Sequence, residues 1–179
     1  MKSNVLACQT KCKMKVLVIV SLFLAFVSLI VYLTSIIAIH GIRKSISDSN
    51  YFLQKPFKLV FELVMWLCGI AIILTGALIN ETPEWLIISG GIGIFLVGIF
   101  SDFKQNLFLR IAHYVSAIGG FVLLGLSYYL CFDSFRYTAI VAVSALVSGV
   151  LAKKRLWCLE LAMSAEIFTG FFYLAHTIM

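Results

Sequence analysis

The chain is 179 residues long, 62% of them apolar and 12% charged, against roughly 45–50% and about 25% in soluble globular domains. That balance excludes a soluble domain and reads as an integral membrane protein. The formal net charge of +6 does not point to nucleic acid, because the basic residues flank apolar runs and are not interleaved with base-stacking aromatics.

In chain order, the first fifteen residues carry four lysines, Lys2, Lys11, Lys13 and Lys15. The apolar run that follows is about 24 residues, too long for the core of about 7 to 15 of a cleavable signal peptide, so a retained helix is expected. "VLAC" at Val5 to Cys8 has no apolar run before it and is not read as a lipoprotein acylation site. Six apolar blocks then succeed one another: Val16 to Ile39, Phe57 to Ile79, Glu84 to Phe100, Leu107 to Leu130, Phe135 to Leu151 and Leu156 to Ile178. Each is about 17 to 25 residues, the length with which a helix crosses a hydrocarbon core of about 30 Å. Period-two alternation is absent, which excludes a β-barrel. The expectation is an all-α polytopic bundle of six transmembrane helices, one transmembrane domain over 1–179, with connections too short to house a soluble domain.

With six spans both termini share a side. The odd-numbered loops hold Arg43, Lys44, Lys55, Lys58, Lys104, Lys153, Lys154 and Arg155, and the opposite side holds the four N-terminal lysines and Arg136. The positive-inside rule then makes the odd loops cytoplasmic, although the N-terminal lysines pull the other way. Trp85, Tyr128, Tyr129, Tyr137 and Trp157 fall near span ends and read as interfacial anchors.

The polar residues gather at one end. Arg110 and His113 lie about 5 and 9 Å into the fourth block, at 1.5 Å per residue. Glu62 enters with the second block and Glu160 with the sixth, and alternating direction brings all of these to the face that carries "SISDS" (Ser45 to Ser49) and Asp102. A charge deep in lipid is disfavoured by roughly 2.5 to 3.5 kcal/mol, which drives such groups toward one another or toward water. A shared polar chamber is expected, with Arg110 and His113 facing inward. Glu166 lies deeper, near the midplane, where it must be protonated, paired or beside a wet cavity. It is six residues from Glu160, about 120° around the helix, so the two need not share a partner. In the bland alternative Arg110 snorkels to phosphate, Glu62 pairs with Lys58, and Glu160 stays hydrated near the headgroups.

Cys8, Cys12, Cys68, Cys131 and Cys158 form no CxxC pair and read as packing residues. Among His40, His113 and His176 the one conceivable haem pair is His40 with His113, which is not favoured, and no metal-ligand spacing is present, so no cofactor or metal is expected. Gly90, Gly91 and Gly93, Ser116 to Gly120, Ser144 to Ser148 and Ala145 to Gly149 are expected at close helix contacts.

The order of "SISDS", "GIFSD" at the end of the third block, "RIAHYVSAIGGF" in the fourth and a glutamate-bearing last helix resembles a bacterial family of small six-helix membrane proteins. That family is catalogued as domain of unknown function 998, and the resemblance runs from about Gly41 to His176. It implies the same fold in a bacterial inner membrane and points to Ser47, Asp48, Asp102, His113 and either Glu160 or Glu166, neither of which is followed by the arginine usual in the family.

Three functions compete. The first is a protein that binds or transports a small anionic or amphipathic, lipid-like ligand through Arg110, His113 and the glutamates, with His113 and Glu166 as proton-relay candidates. The second is a non-catalytic accessory subunit docked on a partner membrane protein or on a second copy. The third is an intramembrane lipid hydrolase using His113 as base and Ser47 or Ser116 as nucleophile, which requires a serine oxygen within hydrogen-bond reach of His113.

Overall fold

The computed structural model describes residues 2–41, 45–53, 55–79, 83–132 and 155–177. They form α1 (Lys2–His40), a 3-10 turn (Ser47–Phe52), α2 (Lys55–Ile79), α3 (Glu84–Ile99), α4 (Leu107–Phe132) and α5 (Arg155–Thr177). Helix is the only regular structure among the described residues. Three segments are long and apolar enough to cross a membrane: Lys13–His40, Phe57–Ile79 and Leu107–Cys131. Helix α3 is apolar but has 16 residues, about 24 Å of rise. The fifth expected block, Phe135 to Leu151, lies outside the described residues, as do Arg136, Tyr137, Ser144 to Ser148 and Ala145 to Gly149.

Local chemistry sets the helix ends. Helix α1 begins well before Val16 and ends where Gly41 takes φ +69° and donates its amide to Ile37 O at 2.9 Å. A left-handed residue at this position is a common helix stop, and glycine adopts it without a Cβ clash. Asn106 caps α4, its side-chain oxygen accepting the Leu109 amide at 2.8 Å.

Small residues seat α3 between its neighbours. A Cβ on Gly69 of α2 would lie 2.7 Å from Phe95 of α3, and one on Gly93 would lie 2.7 Å from the Gly120 Cα of α4. Backbone thus meets backbone on both flanks of α3, the close approach that small residues permit in a membrane. Glu84 and Ile99 lie at opposite ends of α3, and these contacts run it antiparallel to both α2 and α4. Cys68 Sγ approaches Ala25 O at 3.8 Å and Tyr32 packs on Phe61, which sets α1 antiparallel to α2. Lys15 Nζ donates to His176 O at 2.8 Å while Ile46 meets Glu160, so α5 runs back along α1.

The expected aromatic belt is only partly present. Trp85 and Tyr129 are exposed, but Trp157 and Tyr128 are buried. Tyr128 turns inward because its hydroxyl finds the carbonyl of Glu166 at 2.6 Å, and a buried phenol needs such a partner.

Candidate functional site

The segment between α1 and α2 is polar in sequence yet buried. Ser45, Ser47, Ser49 and Asn50 all fall in the interior, and most of the segment's polar groups find partners, the Asn50 side-chain oxygen being buried without one among the described residues. Tyr32 of α1 donates to Ser49 Oγ at 2.6 Å, and Ser49 in turn donates to the Ile46 carbonyl. The Ser45 hydroxyl accepts the Asp48 amide at 2.9 Å. The Asn50 amide nitrogen reaches Ser101 O at 3.5 Å. The Glu160 carboxylate accepts the Ile46 amide. These bonds explain how a serine-rich stretch becomes a plug over one end of the bundle.

Outside the plug lies an ionic layer. Lys58 pairs with Asp102 at 3.3 Å, and Gln105 donates to the other Asp102 oxygen at 2.9 Å. Lys104 pairs with Asp48 and sits 4.3 Å from the Tyr51 ring centre. The Lys104 amide donates to the Tyr51 hydroxyl at 2.6 Å, while burial pushes that phenol above its ordinary range. Glu62 accepts from Ser101 at 2.7 Å and is not paired with Lys58.

His113 is buried beneath this layer. Its Nδ1 meets Phe100 O at 3.0 Å, and its ring stacks on Phe103 with centroids 4.3 Å apart. A serine oxygen on His113 is absent among the described residues, so the contact required of a hydrolase is not formed there. Arg110, expected to face inward beside His113, is exposed instead. Three residues on a helix differ by about 60° in direction, enough to turn one side chain into the bundle and the other out of it.

The expected residues therefore separate into groups. Ser47 and Glu160 share the wall of an internal cavity of about 60 Å³ whose other walls include Leu29, Met65, Ile94 and Phe121. Asp48, Asp102 and Glu62 belong to the ionic layer and its serine contact. Glu166 stands apart, with a buried Oε1 that has no hydrogen-bond partner among the described residues. A metal-competent cluster of histidine, cysteine and carboxylate side chains is absent among the described residues.

One feature is not anticipated from the sequence. A groove of about 700 Å³ opens between α1 and α2, lined on one side by Ser28, Val31, Ser35 and His40 and on the other by Phe57, Val60 and Val64. The hydroxyls of Ser28 and Ser35 donate to Ala25 O and Val31 O in their own helix, leaving the trough apolar. Its signal in the sequence is faint: small Ser28 and Ser35 stand among bulky residues seven apart, on one face of α1. No family model, no curated protein and no solved structure matches this chain.

Proposed function

We propose that this is a six-span protein of the bacterial cytoplasmic membrane that binds an amphipathic, lipid-like molecule in the groove between α1 and α2. Kinship with the six-helix family named above is part of the same proposal. Six spans are supported by the five described helices together with the apolar run of the sequence at Phe135 to Leu151.

The groove's length carries the ligand reading. Its lining on α1 extends from His40 at the helix end to Ser28, twelve residues deeper, which is about 18 Å of rise. Half of a hydrocarbon core of about 30 Å is about 15 Å, so the trough has the depth of one leaflet. Both walls belong to segments apolar enough to span the membrane, and the volume falls within the roughly 300–1,000 Å³ of pockets that hold drug-sized ligands. His40 and the edge of Phe52, in tilted contact at 6.4 Å, form the mouth at the polar face. An acyl chain in the trough with its headgroup at His40 satisfies every surface.

An anionic ligand in the interior is less well served. Lys58 and Lys104 are engaged by Asp102 and Asp48, and Arg110 points outward. The test is lipid mass spectrometry of purified protein beside a Val60→Trp variant, which fills the groove from an exposed position, and a Val122→Trp control on the outer face of α4. Retention by wild type and control with loss from Val60→Trp supports the proposal. Equal lipid in all three removes it and leaves the accessory-subunit reading ahead.

A further inference from the structure

The internal cavity is separate from the groove and differs from it in chemistry. It is bounded by all five helices and the plug. Most of its wall is aliphatic or aromatic, and its oxygen-bearing side chains are Ser47, Glu160 and Ser164. Cationic side chains are absent among the described residues that line it.

These oxygens present acceptors to the space. Glu160 takes one hydrogen bond, from the Ile46 amide, and a carboxylate has capacity for several more. Ser164 directs its own proton to the Glu160 carbonyl at 2.7 Å, so its remaining lone pairs are acceptors. A carboxyl group held among apolar side chains either keeps its proton or gains a positive partner, and a cation that enters the space stabilises the ionised form. A primary ammonium matches this set, with three N–H donors and one charge. The volume of about 60 Å³ is well below the roughly 150 Å³ of a cavity that admits benzene, which limits the carbon stem to a few atoms.

We propose that the cavity is a binding site for a small primary alkylammonium ion, its nitrogen held by Glu160, Ser47 and Ser164 and its stem among Met65, Ile94 and Phe121. The site is independent of lipid in the groove. Water enters the same space as a competitor, but water does not neutralise the carboxylate.

The experiment is thermal unfolding of the full chain in detergent with methyl-, ethyl- and propylammonium chloride at constant ionic strength. Octylammonium, tetramethylammonium, acetate and sodium chloride serve as comparisons. The expected result is a saturable rise in Tm for the three short primary ammonium ions and for none of the comparisons. Glu160→Gln abolishes that rise, and Val60→Trp leaves it intact, which separates this site from the groove. If Glu160→Gln does not fold, Ser164→Ala decides, with weaker apparent affinity by a few-fold as the supporting result. Equal shifts with tetramethylammonium or sodium, no saturable shift, or an unchanged response in Glu160→Gln or, failing that, Ser164→Ala would overturn the assignment.

Discussion

Tyr128 places its hydroxyl 2.6 Å from the Glu166 carbonyl oxygen, in space that exists because residue 170 has no side chain. A Cβ at Gly170 would fall 1.1 Å from that oxygen and 1.7 Å from the ring carbon that bears it. The contact joins α4 to α5 through a glycine notch.

Gly170→Ala is therefore expected to destabilise the fold by about 1 to 3 kcal/mol, the usual range for overpacking. Tyr128→Phe loses one hydrogen bond, about 1 kcal/mol, and does not rescue Gly170→Ala, because the ring carbon still collides. Tyr128→Ala removes the ring, so Gly170→Ala added to it costs little more. Unfolding of the three single and two double variants in detergent, analysed as double-mutant cycles, checks the coupling.

The seam of α3 makes a sharper contrast among glycines. A Cβ on Gly93 meets Gly120 Cα at 2.7 Å and Ser116 O at 2.8 Å, whereas nothing lies within 4 Å of one on Gly119 or Gly125. Gly93→Ala is expected to cost about 1 to 3 kcal/mol, since backbone cannot step aside as a side chain does. Gly119→Ala and Gly125→Ala should be neutral or stabilise by up to about 1 kcal/mol through helix propensity. Equal effects at all three positions would contradict the packing described.

The plug is held at Tyr32 and Glu160. Tyr32→Phe removes the bond to Ser49 and should cost about 0.5 to 1.5 kcal/mol, with faster amide hydrogen exchange confined to residues 45–53. Exchange that speeds up evenly along α1 would instead mean that Tyr32 supports its own helix and not the plug.

Tyr51 supplies a pH dependence outside the spans. Burial raises its phenol above the ordinary value of 10.0, so the folded state favours the protonated form. The sign follows from linkage: the stabilisation is complete below the unfolded value and is lost as pH rises through the higher folded value. Tyrosinate absorbance compared between wild type and Tyr51→Phe should show one phenol titrating above 10 in the folded protein and returning to the ordinary value on denaturation.

Much of the scaffold is legible in residues. The apolar blocks at Phe57, Glu84, Leu107 and Leu156 begin within two residues of α2, α3, α4 and α5, because run length and short polar breaks mark where a helix enters and leaves lipid. The glycines of α3 meet neighbouring backbones, since nothing larger fits there. Other features depend on partners distant in sequence. "SISDS" has the composition of a solvent-exposed loop, and its burial requires Tyr32, Ser101 and Glu160 at the ends of other helices. Arg110 and His113 share a stripe by spacing, but the neighbours of α4 decide which of them turns inward. The groove is a mismatch between two helices and has no motif of its own.

The acyl site proposed between α1 and α2 is one leaflet deep. Its most direct test is photocrosslinking in bilayers with a phospholipid that carries a diazirine on its acyl chain, followed by peptide mapping. The account predicts adducts concentrated on residues 28–40 of α1 and 57–64 of α2, and their loss in Val60→Trp. Adducts spread evenly onto the exposed face of α4, at Val115, Ile118 and Val122, would show that the groove is ordinary lipid-facing surface and would contradict the account.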